Sequence, residues 1–157
     1  MSPQSAPLIL KLRPLLRRMN HIMVKRYGPR FPGRRLILLL TTTGRNSGEP
    51  RVTPLQYESI DGMHWVASGW GRDADWLKNI RKEPRVLVQV GSRKYQAVTK
   101  IIDDPAQVAD FLELRLERHA LMVGLMLRAQ GLPVKHTRQD LEHLALDVVA
   151  VKLNPVE

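Results

Sequence analysis

A chain of 157 residues, 43% hydrophobic and 25% charged, is large enough for one domain with a real core and too short for two ordinary ones. Having no cysteine, it excludes a disulfide scaffold, thiol catalysis and cysteine-based metal sites, and it fits a cytoplasmic location. The net charge of +10 comes entirely from residues 1–48, which hold ten Lys/Arg and no acid, against fifteen of each sign in the remainder; so one-sided a field points to an anionic partner, whether a phosphorylated cofactor, a membrane surface or nucleic acid.

Residues 1–7 are rich in Ser and Pro. Leu8, Leu12, Leu15, Leu16, Met19, Ile22 and Met23 then recur three and four apart, opposite Arg17, Arg18, Lys25 and Arg26, which is the pattern of an amphipathic helix. Pro14 sets the regular start of that helix and Gly28-Pro29 its end. Charges interrupt the apolar positions throughout, so the segment reads neither as a signal peptide nor as a transmembrane span. Two accounts of residues 8–30 stay open: a helix packed on the core, or one lying on an anionic membrane surface at the inner face of the cell membrane.

Leu36 to Leu40 and the threonines behind them read as a buried strand. Gly44 and Gly48 bracket a polar tip, and Arg51 opens the return strand, with Thr53 and Leu55 on one face. Gly62 to Ser68 alternates as a third strand, joined through a turn at residues 59–62. Asp73 is a suitable N-cap for a short helix burying Trp76, Leu77 and Ile80. Residues 85–90 and 94–102 form a hairpin around Gly91-Ser92. Asp104, Pro105 and Gln107 start a helix that runs to about His119. Ala120 to Leu127 is apolar nearly all round, so it is buried, lines a pocket or touches lipid, and Gly131 and Pro133 close it. Leu144 to Leu153 is the last strand. The expected fold is α+β: a small, mainly antiparallel barrel of about six strands with helices outside.

The sequence offers little self-contained catalytic chemistry. The histidines lack metal-ligand spacing, and there is no nucleophile elbow, phosphate-binding loop or dinucleotide fingerprint. Asp73/Asp75 and Asp103/Asp104 sit where helix caps belong. No catalytic side chain and no metal site are expected, so an enzymatic reading needs a bound cofactor to carry the reaction. Aromatic residues make up only 5% and do not interleave with basic positions on any strand, which argues against nucleic acid.

Thr41-Thr-Thr-Gly-Arg-Asn-Ser-Gly-Glu-Pro-Arg-Val-Thr-Pro-Leu55, followed by Trp65-Val-Ala-Ser68, Asp75-Trp-Leu-Lys-Asn-Ile80 and Glu83-Pro-Arg-Val86, resembles the deazaflavin-dependent nitroreductase family, including its quinone reductases. The likeness runs over residues 36–102, with a matching final strand at 144–153. It implies a split β-barrel akin to flavin-mononucleotide-binding proteins, with coenzyme F420 as hydride donor to a quinone, nitroaromatic or other electrophilic acceptor. It further implies that Arg45, Asn46, Ser47 and Gly48 meet the cofactor's phosphate end. Arg51, Val52, Thr53, Pro54, Leu55, Ala67 and Ser68 would line its ring and ribityl chain, and Trp76, Leu77 and Asn79 would close the other side.

Two departures bear on the substrate. The lysine that often follows Ala-Ser in the family is missing, and Gly69-Trp70-Gly71-Arg72 stands instead, with Arg72 as the substitute charge and Trp70 as a stacking surface. The family's C-terminal tyrosines near the substrate are also absent. Leu121, Met122, Leu125 and Met126 take that place with Trp70, which suits an apolar acceptor such as a quinone. The organisation expected is one domain, 1–157: a basic segment (1–30), a cofactor-binding barrel core (35–102), a helical substrate side (104–132) and the final strand. The alternative is a split-barrel carrier or reductase for FMN, haem or a lipid-like ligand. A homodimer is compatible with either.

Overall fold

The computed structural model describes residues 36–68 and 71–157. The amphipathic stretch at 8–30 and Trp70 lie outside them. Six strands form a closed barrel in the order β1-β2-β3-β6-β5-β4: β1 is Ile37–Thr43, β2 Pro50–Ile60, β3 Met63–Ser68, β4 Arg85–Val90, β5 Arg93–Ile102 and β6 Val149–Pro155. Every neighbouring pair is antiparallel. The α+β barrel expected from the sequence is the fold found.

Local chemistry sets the strand order. Asp61 and Gly62 both take positive φ, at 50° and 76°, which closes β2 on β3 as a two-residue turn matched to the twist of the strands. Gly91 takes φ 59° in the β4–β5 turn. Strand alternation sends Leu38, Leu40, Val66, Val88, Ala97, Val151 and Leu153 inward as the barrel core, all but solvent-free. The wall is thinnest between β1 and β4, which pair only over Leu39–Thr41 and Leu87–Gln89. Beyond that short ladder, Thr42 and Thr43 have no paired residue on β4.

Helix α1 (Asp75–Lys82) follows a 3-10 turn at Gly71–Asp73 and buries Trp76, Leu77 and Ile80 in the same core as the strands. Its N-cap is Ala74, with no side-chain cap bond; Asp73, the cap expected from sequence, instead reaches Lys78 at 3.7 Å. The extra 3-10 turn moves the helix start one residue on.

Helices α2 (Pro105–Arg118), α3 (Ala120–Ala129) and α4 (Arg138–Ala145) complete the described elements. They form a second core against the outer face of the sheet, in which Phe111, Leu112, Val123, Leu127 and Leu141 meet Ala150, Trp65 and Ala67. Asp104 caps α2 as expected, accepting the Gln107 N–H at 3.0 Å. Helix α4 was not anticipated. Thr137 and Asp140 form a capping box at its start, and the final strand begins only at Val149, so residues 144–148 are helix end and turn rather than strand.

Candidate functional site

The β1–β2 tip is held by its glycines. The Gly44 N–H donates to Glu49 C=O and the Gly48 N–H to Gly44 C=O, both at 2.8 Å, so residues 45–47 make one tight turn. A Cβ on Gly44 would stand 2.7 Å from Ser47 Oγ and 3.1 Å from the Glu49 carbonyl oxygen, so any other residue would push the Ser47 hydroxyl aside and crowd the turn. Gly48 has φ 72°, a left-handed conformation that costs other residues energy. Ser47 Oγ accepts the Glu49 N–H at 3.2 Å and an Arg51 guanidinium N–H at 3.3 Å, which stands Arg51 beside the tip. Among the described residues the Asn46 and Ser47 N–H groups have no acceptor.

One face of α1 grips this turn. Asp75, Asn79 and Lys82 lie three and four apart, so they line up along the helix. Asn79 Oδ1 accepts the Arg45 backbone N–H at 3.2 Å and its Nη1 at 3.0 Å. Asp75 Oδ1 takes Arg45 Nη2 at 3.2 Å, and Lys82 Nζ donates to Arg45 C=O at 2.7 Å. Where the tip, the end of α1 and the start of β4 meet, a groove of about 530 Å³ opens. Arg45, Lys82 and Arg85 line it, with Glu83 as its one acid and Asn46, Ser47 and Gly48 as its floor. Two cations beyond the tethered Arg45, an adjacent Arg51 and two N–H groups with no acceptor among the described residues are the kind of donor set that could hold an anion with several oxygens.

The remaining residues expected at a site divide by strand alternation. Thr53 and Leu55 share the inward face with Leu40 and Leu38, while Val52 and Pro54 point outward, so five consecutive side chains cannot line one ligand. Ala67 packs in the second core, and Ser68 is fully buried, its hydroxyl donating to Gly71 C=O. Trp76 and Leu77 are core residues. Arg72 turns away, donating to Leu146 C=O at 3.2 Å and facing Asp103 at 3.9 Å. Asn79, 3% exposed, is neither solvated nor on the groove surface. Lys82 and Arg85 were not among the expected site residues: neither belongs to the β1–β2 tip, although Arg85 lies in the Glu83-Pro-Arg-Val86 stretch that carries the resemblance.

The expected substrate residues lie elsewhere. Leu121 and Leu125 project from α3 at 79% and 58% exposure, and Met122 Sδ meets Gln56 Nε2 at 3.8 Å on the outer flank of β2. None of them, nor Met126, lines the groove. Helix α3 is thus apolar on both sides, but only Val123, Gly124 and Leu127 are covered.

Two further clusters sit apart from the groove. Glu58, buried on the outer face of β2, faces Arg118 at 3.1 Å, His119 at 3.1 Å and Arg115 at 3.7 Å. At the opposite end of the barrel from the tip, His64 Nδ1 and Tyr95 OH are 2.6 Å apart, with the Tyr57 ring edge-on to the imidazole. Burial, and then the Arg93 charge, hold the His64 pKa below 6.5; burial raises the Tyr95 phenol above 10.0.

Comparison with known proteins bears on the groove's chemistry. An F420H(2)-dependent quinone reductase from Mycobacterium tuberculosis is 32% identical over 78 residues, or 48% of this chain and 52% of that protein. The chain therefore spans about half the length of the curated relatives it matches. Among solved structures, a conserved hypothetical protein from Mycobacterium tuberculosis superposes with a TM-score of 0.56 at 19% identity, covering 78% of this chain and 74% of that one. An F420-H2 dependent reductase superposes with a TM-score of 0.52 at 20% identity, covering 75% of this chain and 94% of its own. These two likenesses establish the barrel. A family model described as F420H(2)-dependent quinone reductase matches residues 12–123, spanning the barrel tip, the α1 grip and most of the helical flank, and the chain belongs to that family.

Proposed function

We propose that this protein is a coenzyme F420-dependent oxidoreductase whose anionic cofactor is anchored in the groove between the β1–β2 tip and the α1–β4 junction. The reduced deazaflavin, when bound, supplies a hydride to a small electrophilic acceptor of the quinone class. The observation that carries the reading is the convergence of Lys82 and Arg85 with the Asn46 and Ser47 N–H groups on one groove, with Arg51 beside it against Ser47. Arg51 and Lys82 bind the phosphate end. Gly44 and Gly48 hold the amides in place, and Val52 and Pro54, on the outer face of β2, flank the rest of the cofactor. The protein's contribution is orientation and exclusion of water, as expected where no catalytic side chain is provided.

Fluorescence titration with the cofactor tests this. Wild type should bind at micromolar concentration, and Arg51→Ala should bind roughly tenfold to a hundredfold more weakly, the loss of one charged hydrogen-bonded pair. No binding by wild type would sink the proposal. A flavin mononucleotide presents the same phosphate chemistry to the same groove, so the mass of the ligand that co-purifies separates the two cofactors.

Two associations belong with this reading. The outer face of β2–β1–β4 carries exposed Val52 and Leu87, and α3 exposes Leu121 and Leu125; a homodimer would cover such side chains. Residues 8–30 are the segment whose charge pattern would suit an anionic membrane surface, packing of the same segment on the core being the alternative. Among the described residues no helix is long and apolar enough to cross a membrane.

A further inference from the structure

We infer that Asn79 is the positioning residue of the groove, and that Arg45 acts through it as a tie between α1 and the tip rather than as a ligand for the anion. This rests on the reading of the groove as the cofactor's anion site. Asn79 is buried, yet its amide group is engaged on both sides. Its Oδ1 accepts the Arg45 N–H and Nη1, and its Nδ2 donates to Thr42 Oγ1 at 3.0 Å. Thr42, itself 1% exposed, passes the connection on, its hydroxyl donating to Arg51 C=O at 3.5 Å. One side chain on α1 thereby touches the tip, β1 and, through Thr42, the start of β2.

The consequence for the groove is geometric. Arg45 donates its backbone N–H and three guanidinium contacts to α1: Asn79 Oδ1, Asp75 Oδ1 and Asp75 C=O at 3.5 Å. Lys82 holds the Arg45 carbonyl from the same helix. With both ends of residue 45 fixed, the next two peptide units, which carry the Asn46 and Ser47 N–H groups, are fixed as well. The same relay holds the backbone of Arg51, whose side chain reaches Ser47. Anion-binding amides work only when aimed together, so a side chain that fixes their direction controls affinity without touching the ligand. The location matters too: the relay ties α1 to the last residues of β1, beyond the three-residue ladder that pairs β1 with β4.

The test is coenzyme F420 titration by fluorescence, with amide exchange of Asn46 and Ser47 followed by NMR, on Asn79→Leu, Thr42→Val and Thr42→Ser. Asn79→Leu keeps the volume and removes the polar group. It should bind roughly thirtyfold more weakly at temperatures where it is fully folded, with altered Asn46 and Ser47 resonances. Thr42→Val should lose roughly fivefold, and Thr42→Ser, which keeps the hydroxyl, should stay within about twofold of wild type. A folded Asn79→Leu that binds as wild type does overturns the inference, since a purely structural role lowers the melting temperature without changing the affinity of folded protein. Should Asn79→Leu fail to fold, equal affinities for Thr42→Val and Thr42→Ser overturn it. If wild type binds no cofactor, the anion-site reading fails, and unchanged Asn46 and Ser47 resonances in Thr42→Val overturn the positioning role separately.

Discussion

His64 shows how a residue with no part in the groove still sets a solution property. Its imidazole is half-buried at the end of the barrel, against Tyr95 OH and the Tyr57 ring, with Arg93 stacked over Tyr95. Burial and the Arg93 charge both disfavour the protonated ring, so its folded pKa lies below the unfolded 6.5. Between those two values the unfolded chain binds the extra proton. The resulting stability is complete above about pH 6.5 and is lost as pH falls from there through the folded pKa. Thermal melts from pH 7.5 to 5 should therefore show wild type losing more stability than His64→Gln, and parallel curves would refute the assignment. At this scale the sequence was only partly legible. Arg51, Asn46, Ser47 and the two glycines could be placed from the motif, because tip geometry is local. Arg45 turned to α1, Arg72 turned to Leu146, and Asn79 became an internal tie, because each of these depends on a partner 34 to 74 positions away.

Glu58 carries the argument to whole elements. It sits on the outer face of β2 with a side chain only 5% exposed, while Arg115, Arg118 and His119, which face it, come from the end of α2 and the break before α3. Arg115, also buried, adds a 2.6 Å bond to Gln56 Oε1, and burial lowers its pKa. One carboxylate therefore docks the C-terminal turn of α2 onto the barrel. Glu58→Gln removes the charge but keeps the shape, leaving the Arg115 guanidinium buried without its counter-ion. The expected cost is about 3–5 kcal/mol. It would be read from urea unfolding, and a loss under about 1 kcal/mol would mean that the cations find equal partners elsewhere. Elements with strong local signals, the two short hairpins and the Asp-Pro start of α2, were legible from sequence. Helix α4 was hidden by the valine-rich run that follows it, although Thr137-x-x-Asp140 is a capping-box pattern. The apolar α3 was legible as a helix but not as a surface: its composition did not reveal that Leu121 and Leu125 would face outward.

At the scale of the molecule, charge is segregated along the chain. Residues 49–157 hold fifteen cations and fifteen acids, so nine of the ten excess charges precede β1 and the tenth is Arg45, at the tip itself. A neutral barrel with a basic leading segment separates two tasks. On the proposed reading, the groove's fixed donors would set how long the anionic cofactor stays, and the diffuse field would set how fast it arrives. Replacing Arg17, Arg18, Lys25 and Arg26 by Gln lowers the formal charge by four, from +10 to +6, and leaves every groove residue in place. Stopped-flow binding of the cofactor should then show an association rate roughly tenfold lower at low salt, with the dissociation rate nearly unchanged. The difference should shrink as ionic strength approaches about 1 M, where the screening length falls to roughly 3 Å. If the substitutions instead raised the dissociation rate, the leading segment would be a direct part of the binding site. The groove of Lys82, Arg85 and the tip amides would then be only one half of it.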